Sequence, residues 1–183
     1  MNKELSWSQE EYIRAYHFAA KTHRGQNFPG TGLPYLIHIS FVSMEIIAAL
    51  AVEKVNHPDL AVQCALLHDV IEDTDISYKA IKEAFGIDVA NGVDALSKRN
   101  DVKKAQRLSD SLNRIQDQPH EVWMVKLADR ISNLQPPPPH WSRTKITAHW
   151  ESSTEIHADL KDSSPYLGER LLQKIDNYCS YLK

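Results

Sequence analysis

The chain has 183 residues, 42% of them hydrophobic and 25% charged, and a formal net charge of −3; a core can form without staples, and a whole-surface basic field for nucleic acid is excluded. Its two cysteines, Cys64 and Cys179, lie outside any metal-ligand spacing, which argues against a disulfide framework and points to a reducing, cytoplasmic setting. The polar opening MNKELSWSQEEY lacks the apolar core of a signal peptide, and no apolar run is long enough for a membrane span.

In chain order, Tyr12, Ala15, Tyr16, Ala19 and Ala20 recur at helical spacing and predict a helix from Ser8 to Lys21, with Ser8 as its N-cap. The stretch RGQNFPGTGLPY follows as a turn-rich loop. A helix is expected from Ile37 to Lys54, and Pro58 opens another through Glu72. Shorter helices are expected over Ile76 to Phe85, Asp88 to Lys98 and Val102 to Ile115. Pro119 opens a helix over HEVWMVKLADRISNL. The run Pro136 to Pro139 ends it and reads as a stiff spacer. Two last helices are expected, from Trp141 to Leu160 and from Pro165 to Tyr181, with Trp123 and Trp141 as packing anchors. Alternating strand patterns are missing. The expectation is an all-α, irregular multi-helix architecture forming one domain over residues 1–183.

Chemistry concentrates in LAVQCALLHDVIEDT. His68 and Glu72, like Asp69 and Asp73, are four residues apart, so a continuous helix would put each pair on one face. Three carboxylates and an imidazole crowded at one helix end are costly unless a cation or water compensates them. Asp129 shares a face with Val122 and Val125, and a carboxylate beside an apolar stripe needs a partner. Arg130 is adjacent but points about 100° away on a helix, so a metal is the sharper answer. His38, flanked by Ile37 and Ile39, reads as turned inward. Two imidazoles and two carboxylates without thiolate suit Mn²⁺, Fe²⁺ or Zn²⁺, with positions left for water. The plain alternatives are a polar helix end at His68-Asp69 and solvated carboxylates at Glu72 and Asp73. His149 also reads as packing beside Trp150. His17, His23, His57, His120, His140 and His157 read as surface or loop residues, with His23 beside Arg24 the first candidate for an exception.

The pattern His38…His68-Asp69…Asp129 resembles the motif of the HD phosphohydrolase superfamily. FAAKTHRGQ ahead of PYLIH, HDVIEDT, and VKLADRISNL together are similar to the hydrolase domain of RelA/SpoT-type enzymes, over Ala15 to Leu160. The resemblance is to the small stand-alone alarmone hydrolases. It implies an HD-type fold and hydrolysis of the 3′-diphosphate of ppGpp, pppGpp or an adenine analogue. It further implies metal ligation by His38, His68, Asp69 and Asp129, usually of Mn²⁺, and water activation by Glu72 and Asp73. Substrate contacts are implied for Arg24 and Asn133, with Lys126, Lys145 and His149 added as candidates; His149 stands where a tyrosine is common. The loop NFPGTG and the segment Gln135 with its prolines also depart from the family pattern, at positions that bear on base and phosphate preference. The competing readings are an HD-type phosphatase on another phosphate ester and a nucleotide-binding regulator without turnover. No nucleic-acid or membrane partner is expected.

Overall fold

The computed structural model describes residues 6–183, and apart from one isolated bridge between Asn27 and Pro34, every regular element among them is helical. Helix α1 spans Gln9–Thr22, and the Ser8 hydroxyl accepts the Glu11 N–H at 3.3 Å as its cap. Next come α2, Leu36–Val52, and α3, Pro58–Leu67, followed by the single turn α4, Val70–Asp73. Helices α5, Tyr78–Phe85, and α6, Ile87–Leu96, meet at Gly86, whose φ of 91° is a backbone state that L side chains rarely adopt. The remaining helices are α7, Arg107–Gln116, α8, His120–Asn133, α9, Arg143–Leu160, and α10, Pro165–Tyr178. No helix is long and apolar enough to cross a membrane, among the described residues.

Helices α3 and α8 form the centre. Every residue of α3 from Leu60 to Leu67 is buried, as befits a helix that is apolar all round. Around α3 pack α1, α2, α6 and α8; α8 in turn meets α2, α9 and α10. The buried apolar residues make one connected cluster. On the periphery, Arg170 on α10 forks onto the buried Glu45 carboxylate of α2, with Nη2 to Oε1 at 2.6 Å. Such a two-point ion pair fixes how the last long helix lies on α2.

Most of the expected helices shift by one or two residues at an end, and three differ by more. The one read from Pro58 through Glu72 stops at Leu67: a turn at His68-Asp69, where Asp69 takes φ −100° and ψ −1°, separates it from the single turn α4. The break has a consequence for the side chains. Neighbours in a continuous helix diverge by about 100°, whereas this turn lets His68 and Asp69 aim at one point. The segment read as helical from Val102 begins as a 3-10 turn at Lys104–Gln106. Arg107 instead ties down the carbonyls of Val102 and Asn100, at 3.0 and 3.2 Å. The last helix ends at Tyr178, and Cys179–Leu182 continue as a 3-10 turn.

Gly92 on α6 marks the closest approach in the core. A Cβ there would lie 2.7 Å from Cys64 Sγ on α3 and 2.9 Å from Val122 Cγ2 on α8. Gly92→Ala is therefore expected to destabilise the fold by about 1–3 kcal/mol through overpacking. A thermal melt should show a midpoint several degrees lower; an unchanged midpoint would mean that the three helices yield freely.

Candidate metal centre and acid pair

His38 enters from the first turn of α2, after Pro34 and Tyr35 close the preceding loop. It is 1% exposed. Its Nδ1 meets the Ser132 hydroxyl at 3.0 Å, which leaves Nε2 facing His68 Nε2 at 3.1 Å. His68 Nδ1 lies 2.9 Å from the Ala65 carbonyl, an acceptor only, so Nδ1 carries the proton and Nε2 presents a lone pair. Asp69 Oδ2 is 2.8 Å from His68 Nε2 and 3.4 Å from His38 Nε2. Asp129 Oδ1, from the C-terminal half of α8, is 3.4 Å from His38 Nε2 and 4.0 Å from His68 Nε2. One donor atom each from His38, His68 and Asp69 falls within 4.8 Å of the others.

Further side chains orient these four. Tyr35 Oη donates to Asp69 Oδ2 at 2.5 Å. Lys126 Nζ donates to Asp129 Oδ2 at 3.0 Å and Asn133 Nδ2 to Asp129 Oδ1 at 2.5 Å. The Phe28 ring stacks on His38, centroids 5.6 Å apart and nearly parallel. Burial opposes ionisation of both aspartates. At Asp69 the charges of His68 and His38 win, and at Asp129 those of Lys126, His38 and His68, so both carboxyls stay well below the usual range. At His38 burial also opposes the charged form, yet Asp129 and Asp69 push its pKa up to about 9. Burial and Asp69 drive the Tyr35 phenol far upward, so it stays a donor.

Two imidazole nitrogens and the carboxylate oxygen of Asp69, with that of Asp129 beside them, form a donor set that could hold a divalent cation. Without a cation, the proton that Asp129 and Asp69 favour on His38 balances the cluster; a divalent cation would take its place and satisfy all four groups at once.

Beside this cluster lie Glu72 and Asp73. Glu72 is gripped by Lys98, which offers its backbone N–H to Oε2 and its ammonium to Oε1, both at 2.8 Å. Burial works against the Lys98 charge, but Glu72 outweighs it and raises its pKa. Asp73 accepts a long bond, 3.4 Å, from Gln26 Nε2. Burial, then the charges of Asp69 and Glu72, raise the Asp73 pKa above the ordinary value. Arg24, exposed, joins Thr22, Gln26, Glu72 and Asp73 around an open cavity of about 510 Å³. A cavity of about 570 Å³ opens instead at the far end of α3, around His57, Asp59 and Asp88. It is larger but lies at the other end of the helix from His68 and carries no part of this chemistry.

The other expected substrate residues are spread across the α8–α9 side. Asn133 sits on Asp129 itself, as above. Lys126 is 6% exposed and turned to Asp129, so its ammonium is committed to a carboxylate. His149 Nδ1 accepts from Arg130 at 3.1 Å, and its Nε2 meets the Asn133 carbonyl at 3.3 Å. Burial, aided by Arg130, lowers its pKa to about 4, so it is neutral. Its ring lies against Trp141 and Tyr178, where the expected contact was Trp150. Lys145 Nζ covers the Trp141 ring at 4.2 Å. His23, expected at the surface or in a loop, is 4% exposed and packs on Tyr35. Tyr35, Ser132 and Lys98 were not singled out from sequence. The first two stand three positions from His38 and Asp129, a spacing that was available as a signal; Lys98 comes from a separate element.

Residues 15–161 match the HD domain family, and the chain belongs to it. Among named relatives, the zebrafish (Danio rerio) guanosine-3′,5′-bis(diphosphate) 3′-pyrophosphohydrolase MESH1 is 28% identical over 166 residues, covering 88% of this chain and 90% of its own. The Aquifex aeolicus guanosine-3′,5′-bis(diphosphate) 3′-pyrophosphohydrolase is 35% identical over 129 residues, 69% of this chain but 18% of its own length. A solved structure described as a metazoan ortholog of SpoT that hydrolyzes ppGpp shares the fold. Its TM-score is 0.82 at 22% identity, over 94% of this chain and 97% of that one.

Removing the Tyr35 hydroxyl tests the centre from outside. Tyr35→Phe leaves all four donors in place, yet is expected to weaken divalent-cation binding about 10–100-fold by freeing Asp69. Calorimetric titration with Mn²⁺ measures it, and equal affinity would show that the hydroxyl orients nothing.

Proposed function

We propose that this protein hydrolyses the 3′-diphosphate of ppGpp-like alarmones, releasing pyrophosphate and the 5′-nucleotide, with Mn²⁺ as its ion. The observation that carries this reading is the convergence of His38, His68, Asp69 and Asp129 on one point beside the Glu72–Asp73 pair. Support comes also from the names of the zebrafish and Aquifex relatives, the first aligned along nearly its full length.

When bound by these four side chains, a divalent cation would acidify water and draw charge from a phosphoryl oxygen. The rest falls to the chain's own groups. Glu72, gripped at both oxygens by Lys98, orients the attacking water through the carboxylate lone pairs that Lys98 leaves open. Asp73, which no cation pairs with among the described residues, takes the proton as the water oxygen bonds to the phosphorus next to the ribose. The bond from that phosphorus to the 3′ oxygen breaks, pyrophosphate departs, and the proton taken by Asp73 is returned to the 3′ oxygen. Arg24 at the cavity mouth offsets the diphosphate charge. Lys145 and Trp141 offer a flat cationic face to the nucleotide, and neutral His149 holds the Asn133 backbone.

Chromatography of a panel of guanine and adenine 3′-diphosphate nucleotides tests the reaction, with release of pyrophosphate expected and release of orthophosphate pointing to a phosphatase instead. His68→Ala and Asp69→Ala are expected to abolish turnover and most Mn²⁺ binding. Asp73→Asn should lower kcat by about 10²–10⁴ while leaving Mn²⁺ bound. Chelation with EDTA should stop the reaction and added Mn²⁺ restore it; full activity after stripping would overturn the mechanism.

A further inference from the structure

We infer that His23 and Gln26 are positioning residues that hold Asp73 in its working orientation through a two-step hydrogen-bonded chain. This rests on the role proposed above for Asp73.

The chain begins where α1 ends. His23 caps the helix, donating its N–H to the Ala19 carbonyl at 3.0 Å. Gly25 then adopts φ 82°, the left-handed state that a tight turn needs at this point. The turn returns Gln26 over His23, with Gln26 N–H on the His23 carbonyl at 3.0 Å. The Gln26 carbonyl in turn accepts the Tyr35 N–H at 2.9 Å, which anchors the loop against the metal cluster.

The side chains leave one consistent assignment of protons. Asp73 is a carboxylate and only accepts, so the Gln26 group facing its Oδ2 is the NH₂. The Gln26 Oε1 therefore faces His23 Nδ1, 2.7 Å away. An oxygen there requires that Nδ1 carry the ring proton. The opposite nitrogen, Nε2, is buried without a hydrogen-bond partner, which a lone pair tolerates better than an N–H. With the tautomer of His23 set, the amide of Gln26 cannot flip without placing an oxygen against the Asp73 carboxylate. One Asp73 oxygen is thereby held, and the other is left for the water proton. His23 touches no substrate atom in this account and acts only through Gln26.

Substitutions at position 23 separate positioning from bulk. His23→Leu keeps an apolar volume but removes the donor; His23→Asn restores an N–H near the Nδ1 position. Gln26→Leu removes the link and Gln26→Glu turns it into a repulsion. His23→Leu and both Gln26 variants are expected to lose about 10- to 100-fold in kcat with KM little changed. His23→Asn should stay within about threefold of the unsubstituted protein, the small loss that keeping the donor predicts. Mn²⁺ affinity by calorimetry should be unchanged in all four. If His23→Leu does not fold, Gln26→Leu with its loss in kcat carries the test. Unchanged kcat in Gln26→Leu, a loss in KM alone, or a His23→Asn protein as impaired as His23→Leu would each overturn the inference. Absence of pyrophosphate release by the unsubstituted protein would instead defeat the functional reading itself.

Discussion

The constraint on which the site depends is electrostatic. Two carboxylates and two imidazoles are gathered in the interior, where an unpaired charge costs several kcal/mol. Each is accounted for by a specific neighbour: Asp69 by Tyr35 and His68, Asp129 by Lys126 and Asn133, His38 by Ser132, and His68 by the Ala65 carbonyl. Those neighbours come from α3 and its C-terminal cap, from α8 and from the loop ahead of α2. The packing of α2 and α8 onto α3 is thus also the arrangement that aims the donors.

The acid pair is built on a different principle. Glu72 and Asp73 are consecutive, but the protein treats them oppositely. Glu72 is grasped at both oxygens by Lys98, whereas Asp73 meets a single long amide bond and two unfavourable neighbouring charges. Two carboxylates with divergent surroundings are suited to divergent duties, one to hold and one to exchange a proton.

Much of this was legible in the residues. The apolar periodicity of α3 and α8, the prolines at 58, 119 and 165, and the cap at Ser8 mark the helices. Histidine and aspartate beside apolar stripes mark the cluster. What eluded reading was set by distance in the chain or by local backbone geometry. Nothing near Glu72 announces Lys98, which arrives from beyond α6. The turn at His68-Asp69 breaks a segment whose composition suits a continuous helix. His23 looked like a loop residue because the turn that buries it is created by Gly25, two positions later.

The glycine at position 92 reaches beyond local packing. Having no side chain there allows α6 to sit flush on Cys64 and Val122, and the end of that helix carries the strand of chain that delivers Lys98 to Glu72. A helix lifted from its seat would swing that arm outward like a lever on a raised pivot. The spacing of three buried backbones is in this sense the calibration of a charge contact at the rim, and volume in the interior is coupled to how firmly an anion is grasped beside the cluster.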